Sequence, residues 1–187
     1  MPEIRALGLD GVFELTPRKF DDDRGFFSET YNAAVLAANG IKTTFVQDNH
    51  SYSADVGTLR GLHYQLPPRA QVKLVRVVRG RVFDVVVDLR EQSPTFAKWL
   101  GIELSAATGN QILVPVGFAH GFLTLEPDTE VSYKVGDFYS PDHERAVRFD
   151  DPEIAIDWPA NVGRLRISTK DQRAPLLANA AVFAGAA

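Results

Sequence analysis

The chain has no cysteine and a single methionine among its 187 residues. Without thiols it can form no disulfide, no thiolate metal site and no cysteine nucleophile, and that composition fits a reducing cytoplasm, the expected location. Long apolar runs are missing as well. No segment approaches the roughly 18 apolar residues of a membrane span. The opening MPEIRALGLDGVF has an acid at Glu3 and no apolar stretch of signal-peptide length. No internal repeat or low-complexity linker interrupts the chain, so one domain over residues 1–187 is expected. Its alanine-rich end, 178–187, is expected to fray. Twenty Lys and Arg against 24 Asp and Glu leave a net charge of −4, which argues against nucleic acid as a partner. One local shortage runs against that mean. From Val56 to Phe83 there is no acid, only six bases: Arg60, Arg69, Lys73, Arg76, Arg79 and Arg81. Such a run is either a solvated basic face or the lining of an anion pocket.

What is plentiful is strand signal. VKLVRVVRG is rich in β-branched residues and ends at Gly80, and RVFDVVVDLR follows at once. KWLGIEL, NQILVP, HGFLTLE and EVSYKV continue the series, separated by turn residues at Ser93-Pro94, 107–109 and Pro127-Asp128. Short strands spaced by roughly 8–12 residues predict an all-β sandwich or barrel. VKLVRVVRG is apolar on both alternating faces apart from its bases, so its sheet is expected to be covered on both sides, by a second sheet or by a partner subunit. One internal helix is predicted, Asn32 to Ala38, with Asn32 as its cap and Gly40 as its end.

Four histidines are present: His50, His63, His120 and His143. His120 ends the pattern Gly109, five residues, Pro115, one residue, Gly117, two residues, His120, which resembles the second cupin motif. Of the first cupin motif only Gly57, five residues, His63 is present, with His63 placed just before strand residues. Gln65 stands where that motif has a second histidine, and Lys73 stands where it has a glutamate. An ammonium in place of a ligating carboxylate repels a divalent ion, so no metal is expected. Two imidazoles, a lysine and the phenol of Tyr133 in EVSYKV supply a base, an oxyanion partner and an acid. Together they suit proton abstraction next to a carbonyl.

RGFFSETYN, FVQDNHS, LRGLHYQ, KLVRVVRGRVFDVVVDLR, SPTF, VPVGFAHGF, YSPDHERAVRFDDP, IDWP and STKDQRAP occur in that order. They resemble the dTDP-4-dehydrorhamnose 3,5-epimerase family across nearly all of residues 1–177. The resemblance implies an all-β, cupin-type double-stranded β-helix (a jelly-roll) with a few short helices. It also implies a cofactor-free enzyme that inverts C3 and C5 of dTDP-4-dehydro-6-deoxy-glucose beside the C4 ketone. The alternatives are a C3-only epimerase and a non-catalytic sugar-binding cupin. By the same resemblance His63 is the base, Asp171 orients it, and Tyr133 is the acid. Lys73 and His120 stabilise the enolate oxygen, and Asp84 is expected to hydrogen-bond His120. Arg60, Arg24 and Lys170 form the anion-binding set, and Phe27 joins the substrate contacts, although Phe26 and Phe27 suit packing as well as a pocket wall. Glu29, Gln47, Asp48 and Asn49 hold the nucleotide, Tyr139 stacks on thymine and Glu144 makes a further contact. A homodimer is implied, its N-terminal segments reaching the neighbouring site. On the residues alone, Tyr139 reads as core and Glu144 as solvated. On strand parity Arg76 points away from Lys73, with Arg69 and Arg81 placed at the surface, rim or interface.

Overall fold

The computed structural model describes residues 2–185. Two antiparallel sheets face each other. The first runs β1 (Glu3–Ala6), β2 (Phe13–Thr16), β10 (Gln111–Val114), β7 (Lys73–Arg79), β12 (Thr129–Val135) and β5 (Gln47–Ser53). The second runs β13 (Glu144–Ala146), β6 (Thr58–Gln65), β11 (Phe118–Thr124), β8 (Arg81–Asp88) and β9 (Trp99–Ser105). The short β14 (Arg166–Ile167) pairs in parallel with β6. A separate hairpin joins β3 (Lys19–Asp22) to β4 (Gly25–Ser28). The result is the two-sheet sandwich expected from the spacing of the β-branched segments, and the jelly-roll that the resemblance implies.

Alternation along each strand decides what the sandwich encloses. Val75, Val77, Val82, Val86, Ile112 and Phe118 point inward and fill one end of the interior. Lys73 shares the inward face of β7 with Val75 and Val77. Leu74 on the opposite face packs with Leu15, Leu36, Ile41 and Leu113 under helix α1 (Ala33–Ala38). The second sheet therefore covers β7 on one side, and α1 with its loop covers part of the other. Asn32 caps α1 as predicted, its side chain accepting from the Ala34 and Val35 amides. A second helix, α2 (Thr169–Gln172), has no counterpart in the sequence reading. Four residues carry no readable period, and only the Ser168 cap marks its start. Among the described residues no helix is long and apolar enough to cross a membrane.

The expectation of a frayed tail fails as far as Phe183, and its last two positions, 186–187, lie outside the described residues. Phe183 is buried and packs against Tyr64 at 5.8 Å between ring centroids. The Tyr64 hydroxyl donates to the Ala181 carbonyl at 2.6 Å, and the Phe183 amide donates to the Leu89 carbonyl. An apolar side chain and main-chain bonds anchor what composition alone marks as loose.

Candidate active site

At the end of the interior opposite the valine-rich packing, the inward side chains become polar. They enclose a cavity of about 540 Å³ lined by Arg60, His63, Lys73, His120, Tyr133 and Asp171, among others. A side cavity of about 140 Å³ shares His63, Lys73 and Tyr133 and extends towards Gln47, Asn49, Tyr139 and Glu144.

His63 lies inside β6, not before it as expected. The strand reaches the site through a bulge. His120 pairs with His63 and Phe122 pairs with Arg60, so two steps on β11 match three on β6. Without the extra residue Arg60 and His63 would face opposite ways; with it, both line the cavity. Gly61 makes the bulge possible. Its φ is +123°, and a Cβ there would stand 2.6 Å from Gly121 Cα and 2.8 Å from the His120 carbonyl oxygen.

Two histidine–carboxylate pairs result. His63 Nε2 and Asp171 Oδ1 are 2.6 Å apart, with Asp171 buried on α2. Burial alone would raise the Asp171 carboxyl, but its hydrogen bonds with His63 and Ser168 outweigh that and hold it below the ordinary carboxylate range. His120 Nε2 lies 2.9 Å from the fully buried Asp84. Burial pushes the Asp84 carboxyl up, opposed by His120 and Lys73. Lys73 is buried, and desolvation brings its ammonium down to about 8, against the pull of Asp84 and Glu144. Tyr133 stands on the first sheet, across the cavity from His63, and burial raises its phenol.

At the mouth, Glu144 accepts from Lys170 at 2.6 Å and from the Tyr139 hydroxyl at 3.0 Å. Burial would raise Glu144, but these two partners bring it down overall. Tyr139 is 55% exposed, so the reading of it as core is corrected. Glu144 is likewise tied into this network and is not freely solvated. Arg60 donates to the Tyr52 carbonyl at 2.9 Å and to Ser53 Oγ at 3.3 Å. Gln47 donates to Asn49 at 2.8 Å and accepts from the Tyr139 amide at 3.1 Å.

Four expected binding residues do not line this chain's own cavity. Asp48 faces the other side of β5, where it pairs with Lys134 at 2.8 Å; period two separates it from Gln47 and Asn49. Arg24 pairs with Asp22 on the β3–β4 hairpin, Phe27 is 70% exposed there, and Glu29 accepts from Asn32 beside α1. Of the basic run, Arg69 pairs with Asp137, Arg79 with Asp128, and Arg81 with Glu103 and Glu126, all at the surface. Arg76 points away from Lys73, as parity predicts. Residues that the sequence reading did not single out also line the cavity, including Ser51, Phe122 and Arg166. The alternation of Asn49, Ser51 and Ser53 is the signal that could have found the first of them.

Among the described residues no three His, Asp or Glu side chains gather as a metal-binding group. The amide of Gln65 is taken up by the Arg69 and Phe138 carbonyls and the Ser140 amide.

A family model described as dTDP-4-dehydrorhamnose 3,5-epimerase matches residues 6–179. The chain is 51% identical over 178 residues to a dTDP-4-dehydrorhamnose 3,5-epimerase of Pseudomonas aeruginosa, covering 95% of this chain and 97% of that protein. A crystal structure of the Bacillus anthracis dTDP-4-dehydrorhamnose 3,5-epimerase with TDP and PPi bound is similar at a TM-score of 0.91 and 50% identity, over 94% of this chain and 99% of that one. A Legionella pneumophila dTDP-6-deoxy-D-glucose-3,5-epimerase in complex with dTDP-4-keto-L-rhamnose is similar at a TM-score of 0.91 and 42% identity, over 96% and 94%.

Proposed function

This chain belongs to the dTDP-4-dehydrorhamnose 3,5-epimerase family, and from that premise we propose how its cavity performs the reaction. The enzyme epimerises dTDP-4-dehydro-6-deoxy-D-glucose at C3 and C5 to give dTDP-4-dehydro-L-rhamnose. Both carbons flank the C4 ketone, so removal of either proton leaves an enolate with its charge on O4. His63, oriented by Asp171, takes the proton. Lys73, with His120 beside it, stabilises the enolate oxygen in a low-dielectric setting. Tyr133 returns a proton to the same carbon from the opposite side, the carbon is inverted, and proton exchange with solvent restores neutral His63 and protonated Tyr133 before the second carbon reacts. The observation that carries this reading is that His63 and Tyr133 stand on opposite sheets with one cavity between them. Restriction to C3 is not favoured: the relatives of about half identity named above carry the 3,5 name.

Arg60 and Lys170 are assigned to the diphosphate, and Tyr139, Glu144, Gln47 and Asn49 to the nucleotide. Arg24, Phe27 and Glu29 are assigned to the site of a second copy in a homodimer. Phe20, Phe26 and Phe27 are 50%, 59% and 70% exposed on the hairpin, an apolar surface that a second copy would cover. The cysteine-free composition fits the cytoplasm, the compartment we propose. The test is to incubate the protein with dTDP-4-dehydro-6-deoxy-glucose in deuterated water. Label at C3 and C5 is expected, and label at C3 alone, or none, overturns the assignment. Sedimentation of a monomer at assay concentrations would overturn the homodimer.

A further inference from the structure

We propose that Ser51 is a specificity residue that hydrogen-bonds the 2-hydroxyl of the sugar, an inference that rests on the reaction assigned above. Ser51 lies on the inward face of β5 and lines the main cavity. Its hydroxyl oxygen is buried and has no hydrogen-bond partner among the described residues. Both inward neighbours on the strand are engaged: Asn49 accepts from Gln47, and Ser53 accepts from Arg60. A buried hydroxyl left without a partner is costly, and rotation about the Cα–Cβ bond lets this one turn into the cavity that Ser51 lines and meet a ligand group there.

Its place along the strand identifies that group. Asn49 lies opposite Tyr133 in the register of β5 and β12, whereas Ser53 lies beside the Arg60 guanidinium. Ser51 sits between them, one inward position from each. On the substrate, C1 carries the diphosphate, C3 exchanges its proton, and C2 lies between. With Arg60 on the diphosphate and Tyr133 on the reacting carbon, the intermediate position on the protein faces the intermediate carbon. A hydroxyl that can both donate and accept matches the 2-hydroxyl in either sense.

The test compares wild type with Ser51→Ala on dTDP-4-dehydro-6-deoxy-glucose and on its 2-deoxy counterpart. The variant is expected to lose about tenfold in kcat/KM on the 2-hydroxy substrate and nothing on the 2-deoxy one, the effect of one lost neutral hydrogen bond. Equal losses on both substrates, or no loss on either, overturn the proposal. Calorimetric titration with dTDP alone adds a second arm. Unchanged affinity is expected, and weakened binding would assign Ser51 to the diphosphate and overturn its role at C2. Titration with dTDP-glucose and dTDP-2-deoxyglucose tests the same contact without turnover. An inactive wild type would therefore count against the reaction assigned above and leave the Ser51 contact measurable.

Discussion

Lys73 Nζ donates to the main-chain carbonyl of His63 at 3.3 Å, a contact that crosses from the first sheet to the second. The ammonium is thus held beside the strand that carries His63, the proposed base. Its burial has a cost. With its value lowered to about 8 from an ordinary 10.5, the unfolded chain binds a proton that the folded chain lacks between those pH values. Stability therefore rises with pH through that window, and below about 8 the buried charge costs on the order of 3 kcal/mol at most. Lys73→Met is expected to raise the denaturation midpoint at pH 7 while abolishing turnover. Denaturant melts at pH 7 and pH 10 check this: the gain with pH should be present in wild type and absent from the variant.

The same lysine sets an alkaline limit on the reaction. Enolate stabilisation needs the charged form, which is present below about pH 8 and lost above it. The ratio kcat/KM, which reports the free enzyme, is expected to fall as pH rises through about 8. Tyr133, raised by burial, remains a proton donor across that range, so a flat profile from pH 7 to 10 would remove Lys73 from the role assigned to it.

In the proposed mechanism His63 is the one base for both carbons, and Asp171 orients it. Asp171→Asn is therefore expected to lower deuterium incorporation at C3 and C5 in parallel, by roughly 10²- to 10⁴-fold. A loss at only one carbon would mean that a second group takes the other proton.

How far the chain could be read differs between its parts for physical reasons. The strands from Lys73 to Val135 announced themselves because β-branched residues recur there between clear turn signals. The β3–β4 hairpin, LRGLHYQ and α2 did not: the first two mix glycine, charge and aromatics, and the last is four residues long. His120 was legible from the spacing of Pro115 and Gly117. Asp171 was reachable only through the family resemblance, since 108 residues separate it from His63 and folding alone brings them together. Asp48 shows the opposite failure. A motif places it next to Gln47 and Asn49, but alternation turns it to the other face of β5. The bulge at Gly61 breaks the alternation of β6, so parity alone misplaces Arg60 relative to His63.

That bulge gives the last prediction. Gly61→Ala adds a Cβ to a backbone at φ +123° and sets it against Gly121 Cα and the His120 carbonyl, both main-chain atoms that cannot rotate away. Relief requires β6 to move from β11 or the bulge to migrate, and either shift changes the face that Arg60 or His63 presents. A loss of about 2 kcal/mol or more in folding stability is expected, from left-handed strain and overpacking together. The activity lost should exceed what the unfolded fraction explains, because the surviving fold carries a displaced base. Turnover per folded molecule, with the folded fraction measured by circular dichroism, separates the two effects. Wild-type turnover per folded molecule would show that the bulge serves stability alone.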